Sequence, residues 1–210
     1  MAESVVALAS GATEAQIQSA LDNLADGGRL VLPANETIAI SRGLVMNVQD
    51  RSITLDLNGS TLQQAGDVQL LYVRGGYGSA QSASLGKDAA NHFTVSTTGS
   101  TGAKVGDWVK LYSDSVLPHD QGAVTRLGQA MEVIGVEGNK LVLKGDLVDA
   151  ELYLDNIRVS KFLSGSPTIE NGTIRGDQSH PDWVQNLVQL RATVDAEIDG
   201  ITVRDGNSMG

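Results

Sequence analysis

Residues 177–183, Asp177-Gln178-Ser179-His180-Pro181-Asp182-Trp183, gather two carboxylates, an imidazole and an indole into one short stretch, two positions after Arg175. Carboxylates can hold a hard cation, an imidazole or guanidinium can move or stabilise a proton, and Trp183 offers a flat face for stacking on a sugar. Arg191 and Arg204 follow at spacings that would bring them near this stretch if the segment repeats along the fold. The same residues also fit a solvated charged turn, and Trp183 also fits a plug at a corner. A second polar loop, with Pro118, His119 and Asp120 followed by Arg126, could line a groove or be a surface hairpin. His92, set before an apolar strand, reads as structural. The chain has no cysteine, which removes disulfides and thiolate metal sites.

These side chains need a scaffold, and the hydrophobic pattern describes it. Thr13-Glu14-Ala15-Gln16 fits a capping box, and Ile17, Ala20, Leu21 and Leu24 follow at helical spacing. Asp26-Gly27-Gly28 should end that helix over Thr13 to Leu24. The period then changes to two. Arg29–Pro33, Thr37–Ser41, Ser52–Gly59, Val68–Val73 and His92–Ser96 read as short strands, with no helix long enough to serve as a crossover. Residues 104–149 read as a compact antiparallel excursion: a strand from Trp108 to Tyr112 entered through Gly106-Asp107, and a hairpin about Gly138-Asn139. Ser113 to Gly128 between them reads as a long loop. Short strands resume with Leu152–Val159, Thr168–Asp177 and Glu197–Gly206. The last two are self-similar, Ile169 and Ile198 lying 29 positions apart with Leu187-Val188-Gln189-Leu190 between. Short strands repeating at that interval predict a solenoid.

Composition narrows the classes. Aromatics are 4% of 210 residues against 41% hydrophobic, so the core must be aliphatic. A formal net charge of −10 argues against nucleic acid as the main partner, since phosphate needs a basic surface, and makes an anionic polymer dependent on a local basic patch. No apolar run approaches the roughly 18 residues of a membrane span. Val5–Ala9 has no basic segment before it and makes a poor signal peptide, so export by the N-terminus is not expected. The turn Asp205–Gly210 brings no closing helix, and the solenoid is expected to continue past residue 210.

The run Gln16 to Leu24 followed by Asp26-Gly27-Gly28-Arg29-Leu30-Val31-Leu32-Pro33-Ala34 resembles the start of pectate-lyase-like single-stranded right-handed parallel β-helix proteins. Asn35-Glu36 departs from the Gly-x-Tyr usual there. Ile53–Gly59 and Ile169–Ile174 resemble rung strands with their turn asparagine, and the likeness covers about residues 13–75 and 152–210. It implies an all-β right-handed parallel β-helix with an N-terminal capping helix and a small inserted antiparallel module. The expected divisions are an arm and helix over 1–28, first rungs over 29–103, the module over 104–149 and further rungs over 150–210. Asn58 and Asn171 would then belong to an asparagine ladder inside the coil.

The superfamily holds lyases, hydrolases, epimerases and phage tailspikes, so the resemblance implies a saccharide partner more sharply than a reaction. The first expectation is a phage tail fibre or tailspike. That would be a virion tail protein, a homotrimer with other virion proteins as partners, which recognises and in some members depolymerises host surface polysaccharide. The alternative is a secreted, extracellular bacterial polysaccharide lyase or C5-epimerase. Whether the chain is an enzyme stays open. Lyase chemistry would use Arg175, Asp177, His180 and Asp182, with Trp183, Arg191 and Arg204 on the sugar; the only cofactor in view is calcium, for a lyase. Neither the Asp-Pro-His-Glu of alginate epimerases nor the Asp-Asp pair of polygalacturonase-type hydrolases is present. In this superfamily catalytic residues usually lie on middle rungs, expected past residue 210.

Overall fold

The computed structural model describes residues 4–207 except 119, 121 and 123. The chain divides into two compact units, one of residues 1–76 and 163–210, the other Tyr77–Phe162.

The first unit is a stack of parallel strands. Val5–Ala7, Arg29–Val31, Thr54–Asp56, Thr168–Arg175 and Glu197–Arg204 pair in that order, each parallel to the last. Thr37–Ile40 and Thr61–Gln64 continue the same sheet against the second half of Thr168–Arg175. Leu44–Asn47, Leu71–Arg74 and Val188–Arg191 form a second parallel sheet. Strict register makes like sit on like. Leu30, Leu55, Ile169 and Ile198 form one column, and Ile38, Leu62, Ile174 and Val203 another. Within these columns Leu30, Leu55 and Leu62 are fully buried. Period-two alternation sends every second side chain inward, so each strand adds one or two aliphatic residues to a shared spine. Ile169 and Ile198 are Cα partners, as their spacing in sequence predicted.

Thr13 caps the helix Glu14–Asn23 through a complete capping box with Gln16. Ile17, Leu21 and Leu24 are buried in the core of the parallel unit together with Leu30, Ile40 and Leu44. Glu14 reaches from the first turn to the amides of Ser41 and Arg42, and Gln18 exchanges hydrogen bonds with the backbone of Val45. The helix is thus fixed by both an apolar face and a polar seam.

The turns differ from expectation in one respect. Asn35, Asn58 and Asn171 occupy left-handed backbone, with φ of 56°, 49° and 59°, as does Gly200 at 59°. Asn58 is exposed and its amide donates to the Leu32 carbonyl, while that of Asn171 donates to Asp56 and Glu170. The asparagines do not form an amide ladder inside the coil. They stand at its corners because asparagine tolerates positive φ.

Asp56 and Glu170, adjacent in register, share the Arg29 guanidinium. Burial alone would push the Asp56 carboxyl up, but the Asn58 amide, Arg29 and Asn171 together hold it below its ordinary value. A carboxyl depressed by folding adds stability above its unfolded pKa of about 4 and loses it as pH falls through the folded value. Arg29→Ala is expected to cost about 1.5–3 kcal/mol at neutral pH, the range for hydrogen bonds to charged groups. Urea melts at pH 7 and pH 3 should show the mutational cost shrinking in acid; an equal cost at both would remove this electrostatic account.

The second unit is antiparallel throughout its recorded pairings: Trp108–Val116 with Arg126–Glu137, Arg126–Glu137 with Lys140–Leu143, and Phe93–Thr97 with Gln81–Lys87 and Lys140–Leu143. Its core is Val95, Val109, Leu111, Val133, Leu143 and Val159. The hairpin at Gly138-Asn139 and the Gly106-Asp107 turn form as expected, with Asp107 accepting from the Lys104 amide. The antiparallel structure is wider than 104–149. Phe93–Thr97, expected as a rung, pairs antiparallel, and so does Arg158–Leu163 with Trp108–Val116. Leu152–Val159 is not one strand: Ala150–Leu152 is a 3-10 turn, and pairing starts at Arg158. Short apolar runs look alike in parallel and antiparallel sheets, and pairing partners decide between them.

Candidate functional site

Arg175 ends its strand opposite Gln63 on one side and Arg204 on the other, and the chain then turns out of the sheet at Gly176. A cleft of about 650 Å³ opens there, lined by Gln63, Gln64, Arg175, Asp177, His180 and Trp183 together with Ala65, Gly176, Gln178, Ser179 and Asp205. Gly176 is required at the turn: a Cβ would lie 2.1 Å from the Asp205 carbonyl oxygen of the adjoining coil.

The 177–183 segment is braced rather than loose. Asp177 Oδ1 accepts from both the amide and the hydroxyl of Ser179, and Oδ2 lies 3.0 Å from His180 Nδ1. The Ser179 hydrogen bonds hold the Asp177 carboxyl below its ordinary value, with His180 adding to the effect. The Asn207 side chain donates to the Asp177 and His180 carbonyls at 2.9 and 2.8 Å, tying the loop to the following coil. Gln64, only 3% exposed, accepts from the Asp177 amide. On this base the His180 and Trp183 rings stack, centroids 4.1 Å apart and 7° from parallel. Arg175 Nε donates to Asp205 Oδ2 at 3.0 Å.

Chemically, a carboxylate on Nδ1 makes that nitrogen the imidazole donor and leaves Nε2 as the acceptor. Ser179 Oγ also meets Nδ1, at 3.1 Å, so Ser179, His180 and Asp177 do not form a nucleophile relay, which needs the hydroxyl on the other nitrogen. Among the described residues no group of three or more His, Asp or Glu side chains could hold a metal ion.

Four of the residues singled out by sequence, Arg175, Asp177, His180 and Trp183, therefore converge on one cleft. Three do not line it. Asp182 is exposed on the loop. Arg191 stands opposite Arg74 in the second sheet, its guanidinium 3.5 Å from the Tyr72 hydroxyl. Arg204 is exposed on the terminal strand. Sequence reading missed Gln63, Gln64, Gln178, Ser179 and Asp205. The 29-residue offset of Ile169 and Ile198 would have found Asp205, since it sets that residue beside Gly176. The other sequence candidates lie in the Tyr77–Phe162 unit. Asp120 folds onto the amides of Gly122, Val124 and Thr125, Arg126 starts a strand opposite Val116, and His92 pairs with Asp88. His119 lies outside the described residues.

Asp177→Ala is expected to release the loop while leaving the core intact. Hydrogen exchange at the Ser179 and His180 amides should quicken about tenfold, the loss of one capping interaction, with little change in global melting. Unchanged exchange at both amides would show that Asn207 and Gln64 hold the loop without it.

No family model matches this chain, and no curated protein sequence matches it. Solved structures do. The tailspike protein gp49 of Pseudomonas phage LKA1 superposes with a TM-score of 0.61 at 19% identity, over 90% of this chain and 32% of its own. Tailspike gp61 of Pseudomonas phage phi297 gives 0.62 at 14%, over 91% of this chain and 31% of its own. The Gp54 tailspike of Acinetobacter baumannii bacteriophage AP22, solved in complex with A. baumannii capsular saccharide, gives 0.53 at 14%, over 90% and 33%. The chain spans about a third of the length of these proteins, and over that span it has their all-β fold built on parallel sheets.

Proposed function

We propose that this chain is part of a phage tailspike-type virion protein: a right-handed parallel β-helix of the pectate-lyase-like kind that binds polysaccharide on the host surface. In this reading it resides in the virion tail and assembles as a homotrimer with other virion proteins. The observation that carries the proposal is the in-register parallel stack from Val5–Ala7 to Glu197–Arg204, a scaffold shared with tailspikes of which one holds capsular saccharide. A cleft on that scaffold, with stacked aromatic rings beside amide and carboxylate groups, has the composition of a sugar site.

The test is binding of the labelled protein to encapsulated bacteria and to otherwise identical cells stripped of surface polysaccharide. Binding confined to the first is expected, and equal binding to both would refute the proposal. Mass photometry of the full polypeptide should give three copies; a strict monomer would remove the trimer. A bacterial lyase or C5-epimerase draws its support from the Asp177–His180 pair, a base held in a cleft beside Arg175. Growth of ultraviolet absorbance from an unsaturated product on uronate polymers would favour the lyase, and a flat trace would exclude it.

A further inference from the structure

We infer that the cleft at the end of Thr168–Arg175 takes an uncharged sugar residue in preference to a uronate, a refinement that rests on the polysaccharide reading above. The argument begins with charge. Arg175 is the only permanent cation among the described lining residues, and its Nε already donates to Asp205. The lining also holds two carboxylates, Asp177 and Asp205, so with His180 neutral one negative charge is in excess. Ser179 and His180 hold the Asp177 carboxyl below its ordinary value, keeping it anionic. A uronate entering here would lose water beside two carboxylates whose charge the single guanidinium, paired with Asp205, only half offsets, inside a chain whose formal net charge is −10.

What the cleft offers instead suits hydroxyl and acetamido groups, which both donate and accept. Gln178 brings a side-chain amide and Gln63 its amide oxygen (its nitrogen donates to the Gln64 and Gly176 carbonyls), while Asp205 has its second carboxylate oxygen, Arg175 its terminal nitrogens, and His180 the acceptor Nε2. The stacked His180 and Trp183 rings supply the flat apolar surface that the C–H face of a neutral pyranose covers. The platform is set before ligand arrives, because Asn207, Gln64 and Asp177 fix the loop that carries it. Binding therefore need not bear the cost of ordering those residues.

The experiment is a titration of the full chain on an array of bacterial capsular and O-antigen polysaccharides. The array is sorted into neutral and uronate-containing polymers and run at pH 7.5 and moderate salt. Trp183→Ala and His180→Ala proteins are run in parallel, their folding checked by circular dichroism. The expected result is binding to neutral polymers, weakened about tenfold or more in each variant, as loss of one aromatic contact predicts. Binding led by uronate polymers, and weakened by Arg175→Ala, would overturn the charge inference while leaving the polysaccharide reading in place. Binding to no polymer, or binding indifferent to both aromatic variants, would instead remove the cleft as a saccharide site. If Trp183→Ala fails to fold, the exposed His180→Ala variant decides alone.

Discussion

Leu55→Ala should lower the stability of the parallel unit by about 2–5 kcal/mol, one of the largest effects available to a single substitution in this chain. Leu55 has no exposed surface, and it sits in register between Leu30 and Ile169. Truncation therefore opens a cavity bounded above and below by backbone that is hydrogen-bonded in both directions. Such a site cannot collapse by moving one strand, because each strand is held by two neighbours. Truncation to alanine at Val45, 37% exposed on Leu44–Asn47, should cost much less, since part of that surface already meets water. Chemical denaturation of both variants, followed by far-ultraviolet circular dichroism, provides the check. Equal losses at the two positions would mean that the column is not the spine described above.

Gly75→Ala is expected to be damaging as well, by a different route. A Cβ at Gly75 would lie 1.9 Å from the Ala192 carbonyl oxygen and 2.8 Å from its carbon, with the Leu163 oxygen at 3.1 Å. All three obstacles are backbone, and the Gly75 amide itself donates to the Arg191 carbonyl. The adjoining coils would have to separate, and overpacking of that kind costs about 1–3 kcal/mol, occasionally more. Gly165 is a second such contact, against the backbone of Arg51 and Ser52 at 2.1–2.4 Å. Gly128, where nothing lies closer than 3.5 Å, should accept alanine with a loss under about 1 kcal/mol. Comparable melting temperatures for the Gly75 and Gly128 variants would refute the close-approach argument.

The elements easiest to read from the sequence were those whose evidence is local. The Thr13–Gln16 box and the stripe from Ile17 to Leu24 specify a helix without reference to anything distant, and the structure has it. The offset between Ile169 and Ile198 was legible because both copies kept the same order of residue types. The extent of the antiparallel unit was not legible. Phe93–Thr97 and Arg158–Leu163 have patterns that suit either kind of sheet, and their partners lie far along the chain. The same limit applied at the cleft. Residues 177–183 stood out by type, but Gln63 and Gln64 enter from a strand more than a hundred positions earlier. Asp182 was selected by proximity in sequence and Arg191 by its spacing in an expected repeat, yet a turn and a change of sheet carry them away from the lining.

The way the chain leaves and rejoins its coil bears on how it folds. Arg29 meets Asp56 across 27 positions, whereas Asn171 meets the same carboxylate across 115. Closing the longer loop costs about 1.3 kcal/mol more in chain entropy if everything between behaves as flexible chain. The Tyr77–Phe162 unit changes that arithmetic, since within it the Gly78 amide donates to the Lys161 carbonyl at 2.8 Å. Once folded, it brings its own two ends together and shortens the path that the coil must close. Its rate of formation should then set the pace at which Thr168–Arg175 can join Thr54–Asp56, making a segment that adds nothing to the spine a gatekeeper of its assembly.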